Sequence, residues 1–147
     1  LKKKAMTKWI DREKDCEFEL MDYPKAYGFI YEITYTDGSK YIGKKDLFDK
    51  VTLPKNRNRK KKEVFLREKR DWKHYCGSSK NSEGLTISKR EIIDVANTKR
   101  ALTFLEVKHL FRVAALFNDE YINSNIGGVY FDNVLDALKE ELRREYR

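Results

Sequence analysis

The chain has 147 residues, 40% hydrophobic and 38% charged, with 7 Gly, 2 Pro and a formal net charge of +8 at neutral pH. That length suits one domain with a single core, and the composition excludes a disordered tail. No run approaches the ~20 apolar residues of a membrane-spanning helix, and the basic start precedes no apolar stretch of a secretory signal, so a cytoplasmic protein is expected. Cys16 and Cys76 lack C-x-x-C spacing and are too few for a disulfide scaffold, which points to reduced thiols and away from a zinc site.

In chain order, residues 1–26 read as an irregular N-terminal arm closed by Pro24. Residues 28–44 alternate and are rich in β-branched and aromatic types, with Asp37-Gly38 between two halves, which predicts a hairpin. A basic loop is expected over 45–62, then a helix over 63–75 stopped by Gly77-Ser78-Ser79. Leu85 to Val95 predicts a third strand and 99–117 a long helix, started at Asn97-Thr98. Phe104, Val107, Phe111 and Ala114 define that helix's buried face, with Glu106 at its border. After a connecting segment, Gly127-Gly128 introduces a final amphipathic helix over 133–146. Its Leu135, Leu138 and Leu142 serve the core in preference to a dimer contact. The organisation expected is an arm over 1–26, a domain over 27–126 with a basic insertion at 50–62, and a C-terminal helix over 127–147.

The positive charge is concentrated. Between Lys55 and Lys73 stand ten basic residues and three acidic ones, and the densest part carries Lys55, Arg57, Arg59, Lys60, Lys61 and Lys62 with Asn56 and Asn58 interleaved. Cations alternating with hydrogen-bond donors suit a polyanion partner. Trp72 and Tyr75 read as core anchors in preference to base-stacking platforms.

The hairpin register decides whether its tyrosines can cooperate. A two-residue turn at Asp37-Gly38 would put Tyr31 and Tyr41 on opposite faces of the sheet. A three-residue turn, Thr36-Asp37-Gly38 with Gly38 left-handed, sets Tyr41 opposite Ile33 and Tyr31 opposite Gly43, so that both phenols share a face. The bulged turn is expected, with Gly43 leaving room beside Tyr31 for a substrate backbone.

With Gly28-Phe29-Ile30-Tyr31 and Tyr41-Ile42-Gly43 flanking a short hairpin, the chain resembles the GIY-YIG endonuclease superfamily. More narrowly, Leu53-Pro54, the segment Asp71 to Ser79, Arg90-Glu91-Ile92-Ile93 and Glu106-Val107-Lys108 look like a group of small phage-encoded members labelled homing endonucleases. The resemblance covers roughly residues 27–126. It implies an α+β fold, a small three-stranded antiparallel sheet flanked by helices. It also implies a metal-dependent endonuclease that hydrolyses double-stranded DNA to 3′-hydroxyl and 5′-phosphate ends, alone, as a homodimer or within a larger nucleoprotein complex. The alternative is a nucleic-acid-binding module that kept the fold and lost cleavage.

The resemblance places the ligand of a single Mg2+ or Mn2+ ion at Glu106. One carboxylate plus waters suffices for a hard cation that neutralises charge on phosphate and helps the leaving oxygen. Tyr31 is read as general base with Tyr41 as its partner, which requires a phenol lowered from its normal pKa of about 10, or one that passes the proton onward while orienting water. Lys44 matches a lysine found after the second motif, and Lys45 joins it as a phosphate contact. Asn123 corresponds to a closing asparagine that ties down the edge of the site. His109 either supports Glu106 or lies on the surface. The departure is the arginine that the superfamily carries on its first helix, where this chain has Lys50, Val51 and Thr52. With the helix expected at 63–75, Lys73 is the first replacement, followed by Arg70 and Arg67. A lysine supplies a point charge without a bidentate fork.

Overall fold

A computed structural model describes residues 7–69, 71–77, 79–131 and 136–145. In chain order the elements are β1 (Trp9–Asp11), β2 (Cys16–Glu17), β3 (Gly28–Tyr35), β4 (Lys40–Asp46), β5 (Phe48–Leu53), β6 (Glu63–Glu68), β7 (Ile87–Ala96), α1 (Lys99–Arg112), β8 (Asn125–Ile126), β9 (Tyr130–Phe131) and α2 (Asp136–Glu145). The fold is α+β as expected, but its main sheet has five strands in the order β2-β1-β7-β3-β4 and is mixed, because β1 runs parallel to β7. The three expected strands are its β7-β3-β4 side.

The stretch before Pro24 is therefore not irregular throughout. Trp9 inserts between sheet and loop, donating from its indole Nε1 to the Trp72 carbonyl at 2.8 Å. Arg12 reaches from the end of β1 to Glu32 of β3 at 2.8 Å and Glu91 of β7 at 3.0 Å. These side chains draw a weakly patterned segment into the sheet.

β3 lies inside the sheet, between β7 and β4. Phe29, Tyr31, Ile33 and Tyr35 point into a core with Trp9, Phe18 and Trp72, while Ile30 joins Ile42, Leu102, Leu110 and Ile126 on the other side. A strand covered on both faces needs the near-continuous apolar run that β3 has. The hairpin register is the one predicted, with Tyr31 opposite Gly43 and Ile33 opposite Tyr41. The Tyr35 N–H donates to the Ser39 carbonyl at 2.9 Å, closing a Thr36-Asp37-Gly38 loop in which Gly38 has φ +89°.

α1 begins where expected. The Thr98 side chain caps it, accepting from the Ala101 N–H at 3.1 Å. The helix ends at Arg112, earlier than expected, as the chain turns through Ala114 at φ +50°. Its buried face is also rotated from expectation: Leu102, His109 and Leu110 are buried, whereas Phe104 and Phe111 are 66% and 48% exposed. Apolar residues lie all round this helix, so periodicity alone leaves its orientation undetermined and packing against β3 and β4 decides it.

The basic loop and the helix expected over 63–75 are together a two-stranded ribbon. β5 pairs antiparallel with β6 from Phe48↔Glu68 to Leu53↔Glu63, and Asn56 bridges Arg59 at the tip. Val64-Phe65-Leu66 opposite Thr52-Val51-Lys50 favours pleated pairing over a helix without a cap. Only a short 3-10 turn, Asp71–His74, follows. Of the final helix, 136–145 is described, and residues 133–135 and 146 lie outside the described residues. Among its three leucines, Leu138 is exposed, and Leu135 and the Leu142 side chain lie outside the described residues.

Candidate active site

The site is organised by β4, the last strand of the main sheet. Alternation along it sends Tyr41 to the face of Tyr31 and Ile33, and Ile42 to the face of α1. At this free edge the two faces meet in a cleft of about 440 Å³, into which Tyr41, Lys44, Lys80, Thr103, Glu106 and Asn123 all open. Strand alternation and the position of α1 thus bring the second tyrosine and the glutamate together around the edge rather than across one face.

Glu106 is half-buried on α1. Burial pushes its carboxyl up, while the Lys44 ammonium and backbone N–H pull it down and Asp46 adds to the rise. Lys44 is steered by a 3.1 Å hydrogen bond from its Nζ to Thr103 Oγ1. Asn123 accepts from the Ile42 N–H at 3.1 Å and donates to the Ile42 carbonyl at 2.8 Å, replacing the neighbouring strand that β4 lacks at this point. Its side chain therefore fixes the backbone between Tyr41 and Gly43.

Tyr31 does not have the surroundings of a general base. It is 1% exposed, packed against Trp9, Tyr41 and Tyr75. Burial raises its phenol far above the ordinary value, and Tyr41, Tyr75 and the Glu106 charge push the same way. A buried phenolate with no cation against it is the disfavoured form. Tyr41, its ring centroid 6.2 Å from that of Tyr31, is the tyrosine that reaches the cleft. The space expected beside Gly43 is not open to a substrate either: a Cβ there would collide with the Tyr31 hydroxyl and stand 2.6 Å from its ring.

Other expected residues are not part of this cleft. Lys73 is exposed beside Trp72, its Nζ 5.7 Å from the ring centroid, and borders a separate cavity of about 1030 Å³ walled by Trp9, Phe18 and Met21. That larger cavity holds neither tyrosine of the motifs nor Glu106. Arg67 pairs with Asp49 at 3.5 Å on the ribbon, and Arg70 lies outside the described residues. Lys45 is buried, paired with Asp71 at 3.0 Å and over the Tyr75 ring at 4.5 Å, because it shares the Tyr31 face of β4. His109 is neither a surface residue nor a Glu106 partner: it is buried with its Nε2 2.9 Å from Asp94 Oδ2. Lys55, Arg57, Lys60, Lys61 and Lys62 are exposed around the ribbon tip, with Arg59 partly covered.

Sequence reasoning missed Lys80 and Asn81. They follow the Gly77-Ser78-Ser79 break, which marked only an expected helix end, and Asn81 is anchored by donating to the Ile122 carbonyl at 2.8 Å. No arginine is among the residues lining the cleft, and Lys44 and Lys80 are its cations.

Among the described residues no cluster of three or more His, Cys, Asp or Glu side chains is placed to hold a metal. The donor set still fits one class of ion. A lone carboxylate in a polar cleft suits a hard divalent cation that retains most of its waters, as Mg2+ does.

Residues 9–126 match the family described as "Putative endonuclease segE, GIY-YIG domain". No curated protein and no solved structure matches the chain. The family match begins at the first residue of β1 and takes in both tyrosine strands, the ribbon, Glu106 and Asn123, and the chain belongs to the GIY-YIG endonuclease family.

Proposed function

We propose that the protein is a divalent-metal-dependent endonuclease that cleaves phosphodiester bonds of double-stranded DNA at the β4 edge. The observation that carries this reading is the convergence of Tyr41, Lys44, Lys80, Glu106 and Asn123 on one cleft within a GIY-YIG domain. Glu106 would hold Mg2+ or Mn2+, and the ion supplies Lewis-acid stabilisation of charge on the phosphate when bound. Lys44 and Lys80 provide point charges that hold the scissile phosphate, in the role the family gives to an arginine. Tyr41 orients the attacking water and accepts its proton as its own phenolic proton passes to solvent in the cleft, while Tyr31 remains a neutral phenol that braces Tyr41 and Gly43. The basic ribbon holds the duplex by its backbone. The motif resemblance supports the finer reading of a phage-encoded enzyme of homing or nicking type.

Relaxation of a supercoiled plasmid in Mg2+ or Mn2+ tests the proposal. The parent chain is expected to nick, EDTA to stop it, and Glu106→Ala and Tyr41→Phe each to lower the rate at least about 100-fold. Cutting that persists unchanged in both variants would place the chemistry elsewhere. Binding without cutting under either metal supports the second reading, a DNA-binding module; the lack of an arginine lining the cleft is the observation that favours it.

A further inference from the structure

The β5–β6 ribbon stands outside the main five-stranded sheet. Its root is tied to the domain: the Leu47 N–H donates to the Tyr27 carbonyl at 2.9 Å and the Lys69 N–H to the Leu47 carbonyl at 2.8 Å. Phe48 stacks on Tyr27 at 6.3 Å, and Lys69 pairs with Asp49 at 3.0 Å. Beyond the root, β6 is exposed along its whole length, including Val64, Phe65 and Leu66. A two-stranded ribbon uncovered on this scale is marginal in water unless something else packs on it.

Charge divides along the same axis. At the root Arg67 and Lys69 are matched by Asp49. Near the tip Arg59 is held by Glu63 at 3.6 Å and the Pro54 carbonyl at 2.9 Å. Lys55, Arg57, Lys60, Lys61 and Lys62 have no acidic partner among the described residues, and Arg57 with Asn58 forms the outermost turn between Asn56 and Arg59. That turn is closed by hydrogen bonds: Asn56 and Arg59 exchange backbone hydrogen bonds at 3.0 and 3.2 Å, and the Asn58 N–H donates to Asn56 Oδ1 at 2.9 Å.

Building on the reading of the protein as a duplex-DNA enzyme, we propose that the ribbon enters the major groove, where Arg57 and Asn58 read base edges while Lys55, Lys60, Lys61 and Lys62 hold the flanking phosphates. The dimensions fit. At about 3.3 Å per residue the tip stands roughly 30 Å from the root, and strands about 4.8 Å apart pass within a groove about 12 Å wide that admits a two-stranded ribbon. The chemistry fits as well, because arginine pairs with guanine O6 and N7, and asparagine with adenine N6 and N7, at that groove's floor. The preference for a target sequence would then reside in the ribbon rather than in the cleft.

The test is binding of the full chain, in EDTA, to a pool of 30-base-pair duplexes and to a duplex selected from it. Methylation of guanine N7 within one short stretch is expected to block binding, and a minor-groove ligand of the netropsin type is not. Arg57→Ala should abolish that methylation effect and lower the preference for the selected duplex about tenfold or more. Lys60→Ala and Lys62→Ala should weaken binding to all duplexes alike, each reducing the slope of log affinity against log salt by about 0.9. Displacement by the minor-groove ligand, or an Arg57→Ala variant whose preference is intact, would overturn the inference. If the plasmid is nicked while ribbon variants bind as the parent does, the ribbon proposal alone fails. If ribbon-dependent reading is seen without nicking in any metal, it stands and the nuclease proposal fails.

Discussion

The Tyr31 ring lies across the backbone of Gly43 in the neighbouring strand, occupying the place where a Cβ on residue 43 would stand. Tyr31 cannot retreat, because Trp9, Phe29 and Tyr75 rings surround it with centroids 5.5, 6.3 and 5.7 Å away. Gly43→Ala is therefore an overpacking change and should cost about 1–3 kcal/mol. Urea denaturation checks it; a variant as stable as the parent would mean that the ring has room to move. Because Tyr41 Cε1 is also only 3.0 Å from that Cβ position, nicking should fall by more than the stability loss alone explains.

The two motif tyrosines should separate in kinetics. Tyr31 is buried with its phenol pushed far up, whereas Tyr41 opens to the cleft. Tyr41→Phe is expected to lower the nicking rate about 100-fold or more, the usual contribution of a positioned proton acceptor. Tyr31→Phe keeps the ring that packs and should lose less than tenfold. Equal losses would return Tyr31 to the chemistry.

How much of this arrangement the sequence discloses depends on whether neighbours along the chain or across it decide the outcome. The bulged hairpin is legible because Thr36-Asp37-Gly38 and the alternation around it are local, and the phenols' shared face follows from them. Glu106 is legible through family resemblance, and its approach from α1 around the edge of β4 is legible only in space. β6 is illegible for the same reason: Val64-Phe65-Leu66 lacks a buried face, and nothing but its pairing with Thr52-Val51-Lys50 makes it a strand. Displacing the expected helix also moves Lys73 away and brings Lys80 to the cleft, which no spacing rule anticipates.

The tyrosines predict behaviour at high pH. Burial raises the phenols of Tyr27, Tyr31, Tyr35 and Tyr121; the hydrogen bond to Asp11 raises that of Tyr23. A raised folded value means that the unfolded chain releases these protons first, so the stability they contribute is complete below about pH 10 and declines above it. Ultraviolet titration should show the buried Tyr31 and Tyr35 ionising only as the chain unfolds. Titration of all tyrosines near pH 10 with the fold intact would contradict their burial.

Arg12 sets the acid limit. Its guanidinium hydrogen-bonds Glu91 at 3.1 and 3.0 Å and Glu32 at 2.8 Å, and holds the Glu91 carboxyl below the usual range. A lowered folded value gives stability that is present above about pH 4.3 and is lost as pH falls through the folded value. Arg12→Ala leaves two nearly buried carboxylates facing each other across paired strands, Glu32 opposite Glu91. The expected cost is about 2–3 kcal/mol, on the low side for breaking a buried pair because Arg12 is itself partly exposed. Chemical denaturation at neutral pH measures this, and the variant should also lose most of the acid decline expected of the parent, with Lys89 still paired to Glu91 at 3.3 Å.

Asn123 offers the sharpest separation of fold from site. Both of its hydrogen bonds go to Ile42, whose side chain is buried while its backbone forms the rim of the cleft. Asn123→Ala removes both partners at a sheet edge that water can reach, so stability should fall by about 1–2 kcal/mol. Asn123→Asp keeps an acceptor for the Ile42 N–H but sets a carboxylate against the Ile42 carbonyl, which has nothing to donate, and should cost at least as much. Since Tyr41 and Lys44 flank this stretch, both variants should slow nicking further than their loss of folded population accounts for. Measuring rate and unfolding free energy on the same preparations decides the matter: a rate that merely tracks the folded fraction would make Asn123 a brace for the strand and nothing more.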